Sequence, residues 1–206
     1  MDASKDLLLI FTRNPELGKC KTRLAKTVGD QAALDIYTFL LEHTLQITKG
    51  LPATKYVYYS EEIWQDDIWE AGIYTKKLQQ GNDLGNRMHN AFVEGFDEGF
   101  EKIVVIGSDM YDLSQVDLEQ AFRELDTNDF VIGPAHDGGY YLLGMKHLYA
   151  PLFKNKAWGT ENVLQDTLAD LKNEEIVLLD MRNDVDLYDD IKDIEAFQAF
   201  LKHMEE

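Results

Sequence analysis

Short runs of apolar and β-branched residues alternate along this chain with longer stretches whose apolar positions recur at three-and-four spacing. The first pattern predicts buried strands and the second amphipathic helices. LLLIFTR (7–13) predicts a strand. The Pro/Gly loop NPELGKCKTR follows, then a helix over roughly 29–49 in which Ala33, Ile36, Tyr37, Leu40, Leu41, Thr44 and Leu45 share one face, ended by Gly50 and Pro52. KYVYYS (55–60) is a second strand, followed by a short Trp-containing helix around 62–70 and a weaker strand, YTKKLQ (74–79). Asp83 is placed to cap a helix reaching about residue 99. A strand from residue 102, a helix over about 115–125 and the strand DFVIGPA (129–135) come next. Gly138-Gly139 supplies a tight reversal into YYLLGMK (140–146), and a helix near 161–172, the strand EIVLLDM and a closing helix from about 187 complete the pattern.

Alternation of strand and helix over most of the length argues for a largely parallel sheet covered by helices, made mixed by the one hairpin after residue 135. No internal repeat or linker interrupts the 206 residues, 45% of them hydrophobic, so one domain over 1–206 is expected. The apolar runs are far shorter than the roughly 20 residues a membrane span needs. The start, MDASKDLLLIF, carries Asp2 and Asp6 where a secretory leader has basic residues, so a cytoplasmic protein is expected. The lone Cys20 excludes an intrachain disulfide and a multi-thiolate metal site, and reads as a small loop side chain. A net charge of −18 argues against nucleic acid as a partner. Against that background the cluster Arg13, Lys19, Lys21, Arg23 and Lys26 suggests a small anionic ligand.

Four segments can carry chemistry. In KIVVIGSDMYD (102–112), Asp109 ends a buried strand, where open α/β sheets hold ligands; it can cap the next helix or hold a divalent cation against a phosphate. The basic loop lacks the glycine and hydroxyl positions of a phosphate-binding P-loop, and no dinucleotide fingerprint is present. What remains is Arg13, Lys19, Lys21 and Arg23 around Gly18 and Thr22, able to bind a di- or triphosphate or to form a solvated loop. In GNDLGNRM (81–88), Asp83 and Arg87 offer either an N-cap with a local ion pair or contacts to a ribose hydroxyl and a phosphate. In GPAHDGGYYLLG (133–144), His136 fits a surface position, and Asp137 is the better candidate for substrate contact or proton removal. DMRNDVDLYDD (180–190) alternates Asp184 and Asp186, able to add a second carboxylate to Asp109 in an Mg2+ or Mn2+ site, or to form a solvated acidic turn.

Taken in order, FTRNPELGKCKTRL, GNDLGNRM, VVIGSDMYDL, VIGPAHDGGYYLLGM, LFKNKAWGTENVL and DVDLYDDI resemble bacterial glycosyltransferase-like proteins related to the phospholactate guanylyltransferases of deazaflavin-cofactor synthesis, in the nucleotide-diphospho-sugar transferase superfamily. The resemblance spans residues 11–191. It implies a GT-A-like, Rossmann-like fold with a nucleotide site over the carboxyl edge of the sheet. It also implies metal binding by Asp109 with Asp186, and phosphate contacts from Lys21 and Arg23. Asp137, Gly138, Gly139 and Tyr140, with Trp158 and Thr160 of a W-S-T-like segment, then fall to the substrate side. Two departures stand out: Met110-Tyr111 replaces the family's usual Cys-Pro, and Arg13 stands where lysine is common. The expected function is metal-dependent transfer of a sugar from a nucleotide-activated donor to a small acceptor. The alternatives are condensation of a nucleoside triphosphate with a phosphorylated metabolite, or nucleotide-sugar binding without turnover.

Overall fold

The computed structural model describes residues 4–204; Asp2, part of the leader reading, and the last two positions lie outside them. Seven strands build one sheet: β1 (Asp6–Thr12), β2 (Thr54–Tyr59), β3 (Tyr74–Leu78), β4 (Lys102–Gly107), β5 (Phe130–Pro134), β6 (Tyr140–Met145) and β7 (Ile176–Leu178). Their spatial order is β3-β2-β1-β4-β6-β5-β7. Only β6 runs against its neighbours, pairing antiparallel with both β4 and β5; every other pairing is parallel. The carboxyl ends of the six co-directional strands therefore share one edge, which β6 joins at its start, Tyr140.

Two-residue periodicity sends alternate strand residues to opposite faces. Leu8, Ile10, Val57, Val104 and Ile106 face one layer, which includes Tyr37 and Leu41 of α2 (Asp30–Lys49) and Leu118 and Phe122 of α4 (Gln115–Glu124). Leu7, Leu9, Ile103 and Val105 face the other, with Met88, Ala91 and Phe92 of α3 (Leu84–Asp97) and, at its margin, Leu164 and Leu168 of α5 (Val163–Asp170). Each fully buried Leu, Ile or Phe contributes about 1.5–3 kcal/mol, so both layers are held by burial. The mixed, mostly parallel sheet with helices on both faces is the architecture the periodicity predicts.

Three elements differ from that expectation. A seven-residue helix, α1 (Thr22–Val28), precedes α2 and is separated from it by Gly29 at φ 84°, so the basic loop runs straight into a helix. Residues 62–70 form no helix: the Asp67 carboxylate accepts the Trp69 backbone N–H at 2.9 Å and binds Lys76, competing with helical hydrogen bonds, while Trp69 packs edge-on to Tyr74. From 187 onward the chain makes separate 3-10 turns and one four-residue helix, α6 (Gln198–Leu201). There the Asp190 side chain takes the backbone N–H groups of Asp186 and Leu187. Cys20 is buried in the first apolar layer, where burial pushes its thiol pKa up. Among the described residues no helix is long and apolar enough to cross a membrane.

Candidate active site

The carboxyl edge of the sheet carries almost every residue singled out by the motifs. Asp109 follows β4, its side chain folded back so that a Cβ on Gly107 would lie 2.8 Å from Oδ1 and would push the carboxylate aside. It does not cap α4, whose N-cap is Ser114 in a reciprocal capping box with Asp117. Met110 and Tyr111 leave Asp109 facing the site. Met110 is buried in the first apolar layer, and Tyr111 packs on Phe197 at 4.9 Å, Phe39 at 5.8 Å and His43 at 5.3 Å.

Lys21 comes to Asp109 from the basic loop. Its backbone is left-handed at φ 48°, its side chain is only 6% exposed, and Nζ lies 3.0 Å from Asp109 Oδ2. Burial disfavours its charge, but Asp109 foremost, then Asp186 and Asp184, outweigh that and raise the ammonium's pKa. The lysine is therefore held protonated. Arg23 pairs with Asp186, Lys19 pairs with Glu16 at 2.9 Å and Glu61 at 3.4 Å, and Arg13 is exposed at the end of β1. Beneath them lies a buried polar network. The Tyr37 hydroxyl accepts the Arg13 backbone N–H at 2.9 Å and bonds Ser108 Oγ at 3.1 Å and Thr12 Oγ1 at 3.2 Å. It ties α2 to the ends of β1 and β4; in sequence Tyr37 is simply one apolar-face position.

The segment 184–186 reaches the same place because Val185 N–H donates to the Asp109 carbonyl at 3.2 Å and residues 135 and 182 form a parallel bridge. Asp184 is the carboxylate most affected. Burial, then the charges of Asp109 and Asp137, push its pKa up to about 6. Asp186, expected as the second metal ligand, is engaged by Arg23. Among the described residues no three His, Cys, Asp or Glu side chains are arranged to hold a metal by themselves. The carboxylate oxygens of Asp109 and Asp184, with excess negative charge around Asp184, suit a hard cation that keeps water and phosphate oxygens as its other ligands.

Two spaces meet at this point. A groove of about 730 Å3 is lined by Arg13, Lys19, Lys21, Arg23 and Arg87. A cavity of about 250 Å3 is lined by Met88, Tyr140, Trp158, Thr160, Asp137 and Gly139 among others. Asp109, Asp184, Phe11, Leu84 and Gly107 border both. Arg87 is held in the groove by Gly81 O at 3.1 Å and Gln79 Oε1 at 3.2 Å, and makes no ion pair with Asp83. Asp83 caps α3 by accepting Asn86 N–H at 2.7 Å and lines neither space. Asp137 Oδ1 accepts the Gly139 N–H at 2.8 Å, which fixes the hairpin tip at the cavity. Gly138 has φ 87°, and a Cβ there would meet Glu161 O at 2.2 Å; the close approach brings the 157–163 segment to the hairpin. Trp158 in turn lies against Gly85, where a Cβ would be 2.5 Å from Nε1, and meets Tyr140 edge-on at 6.4 Å. The Tyr140 hydroxyl is buried without a hydrogen-bond partner. His136 is exposed, and neither space has it among its lining residues. The apolar walls Phe11, Leu84, Met88 and Val163 carry no sequence signal distinguishing them from core.

Solved structures share the fold. A "putative nucleotide-diphospho-sugar transferase" from Desulfovibrio desulfuricans G20 is 31% identical, with a TM-score of 0.85 and 98% of this chain and 96% of that one covered. A cytidylyltransferase from Leptospira borgpetersenii is 14% identical (TM-score 0.58; 98% and 94% covered). Rv0371c from Mycobacterium tuberculosis H37Rv, in complex with manganese, is 12% identical (TM-score 0.51; 97% and 99% covered). No curated protein matches the chain. Residues 44–160, from the last turns of α2 to Thr160, match a bacterial family. By that match and by its fold, the chain belongs to the family described as "Uncharacterized protein conserved in bacteria (DUF2064)", with a nucleotide-diphospho-sugar transferase-like architecture.

Proposed function

We propose that this protein is a metal-dependent glycosyltransferase that moves a sugar from a nucleotide-activated donor to a small acceptor. The observation that carries the reading is the Lys21–Asp109 pair at the junction between a groove rich in cations and a separate cavity. Arg13, Lys21, Arg23 and Arg87 offer charge-assisted hydrogen bonds to a diphosphate, and Lys19 can exchange Glu16 and Glu61 for it. Asp109 and Asp184, with Asp186 beside them, would hold Mg2+ or Mn2+. Such a cation neutralises charge on the departing diphosphate. The manganese complex of a protein with the same fold supports that choice. The bond between the sugar carbon and the diphosphate oxygen breaks, the nucleoside diphosphate keeps the electron pair, and an acceptor hydroxyl oxygen bonds to that carbon. Its proton passes to Asp137 if configuration inverts, directly or through one water. Phosphate oxygens are held by Lys21 and Arg23 as their charge grows.

The cytidylyltransferase of the same fold favours a second reading, nucleotidyl transfer from a triphosphate to a phosphorylated metabolite. The test is a panel of nucleoside triphosphates and nucleotide sugars, each with and without Mg2+ or Mn2+, scored by thermal shift and then by product analysis. Metal-dependent stabilisation by a nucleotide sugar, with release of a nucleoside diphosphate, is the expected outcome. Consumption of a triphosphate with release of pyrophosphate selects the second reading, and stabilisation with no product from any candidate acceptor leaves a binder.

A further inference from the structure

The two spaces that meet at Asp109 and Asp184 differ in charge. Five basic side chains, Arg13, Lys19, Lys21, Arg23 and Arg87, line the groove together with the carboxylates of Glu61, Asp109, Asp184 and Asp186. No lysine, arginine or histidine lines the cavity among the described residues, whose ionisable groups there are Asp109, Asp137 and Asp184 with the phenols of Tyr140 and Tyr141. Its walls are apolar: Met88, Val105, Met110, Tyr140, Trp158 and Val163. A phosphate ester or carboxylate inside it would lose water, gain no cationic partner from the lining and face the carboxylate of Asp137, which is unpaired among the described residues, whereas Lys21 already engages Asp109 at the border. An uncharged body exchanges water for apolar contact instead. An apolar cavity of 150 Å3 holds benzene, so 250 Å3 has room for roughly ten non-hydrogen atoms.

We propose that this cavity takes the acceptor, and that the acceptor is a small uncharged hydroxyl compound with a largely apolar body, not a phosphate ester or carboxylate. The acceptor's role rests on the glycosyl-transfer reading. The hydroxyl faces Asp137, to which a hydroxyl can donate and an anionic group cannot.

The experiment compares three probes that share one body and stay within about ten non-hydrogen atoms: 3-methylbutan-1-ol, 3-methylbutyl phosphate and 4-methylpentanoate. Binding to the full chain is measured by saturation-transfer NMR titration at neutral pH. Val163→Phe, which fills the cavity from a wall outside the groove, separates cavity binding from groove binding, and Thr160→Phe at the exposed rim serves if that variant does not fold. The expected result is cavity binding of the alcohol at least tenfold tighter than of either anion, lost in the filled variant. Equal or tighter cavity binding of an anion, binding unaffected by filling, or no binding of the alcohol overturns the proposal. Failure of the glycosyl-transfer reading is distinguishable: it shows as triphosphate consumption in the nucleotide panel, with the charge preference of the cavity intact.

Discussion

Replacing Lys21 by Met removes the buried ammonium while keeping most of its volume. At 3.0 Å and an effective dielectric constant of about 20, the lysine–aspartate attraction is roughly 5 kcal/mol before solvent screening. Asp109 is 39% exposed, so the loss falls between about 3–5 kcal/mol for breaking a buried pair and about 0–1 kcal/mol for a surface pair. A loss of about 2 kcal/mol lowers the melting temperature of a 206-residue chain by roughly 4–8 °C in chelator. Two further effects distinguish a site residue from a structural one. The ammonium and a divalent cation compete for Asp109, so Mn2+ should raise the melting temperature more in Lys21→Met than in the unaltered protein. Nucleotide affinity should fall by roughly 10–100-fold, the worth of a charge-assisted hydrogen bond. Differential scanning fluorimetry and calorimetric titration read these effects. An unchanged melting temperature in chelator, together with unchanged nucleotide affinity, refutes the reasoning.

Asp184 gives a pH signature in metal-free buffer. Its folded pKa of about 6 lies above the ordinary carboxylate value, so the folded state retains a proton that the unfolded chain has already released. Stability is therefore lost as pH rises from about 4 to about 6; Asp184→Asn removes that loss and gains on the unaltered protein by pH 7, and parallel pH profiles in urea unfolding would contradict it. Tyr37→Phe leaves the Arg13 backbone N–H without its acceptor, at a cost of about 1–3 kcal/mol, and weakens nucleotide binding more than cavity binding; calorimetry with nucleotide and alcohol probes separates the two. Gly138→Ala places a methyl 2.2 Å from Glu161 O in a left-handed backbone, so it should destabilise by at least about 1–3 kcal/mol in thermal unfolding, and a melting temperature unchanged within error would argue against the close contact.

The sheet was legible because strands buried on both sides are near-continuous apolar runs, and because Gly138-Gly139 marks the one reversal. Helix ends were less so. Gly29 breaks what periodicity alone reads as a loop running into one long helix, and Asp67 and Asp190 divert backbone donors in segments whose apolar spacing still looks helical. In the site, strand ends placed Asp109, and charge clustering placed Lys21 and Arg23. Which of Asp184 and Asp186 borders both spaces with Asp109 depends on the tertiary Val185–Asp109 hydrogen bond and the Arg23–Asp186 pair, neither of which leaves a local signal. The charge asymmetry between groove and cavity is hidden for the same reason: the cavity's walls come from β1, α3, β4, β6, the segment before α5 and the start of α5, and of its apolar positions the family resemblance marks only Tyr140 and Trp158 for the substrate side.

Asp109→Asn, titrated with the nucleotide or nucleotide sugar that stabilises the unaltered protein most, with and without Mn2+, probes the central assignment most directly. Affinity should rise with Mn2+ in the unaltered protein and show little or no rise in Asp109→Asn while the variant still melts cooperatively. An equal Mn2+-dependent gain in both proteins would show that Asp109 does not anchor the cation.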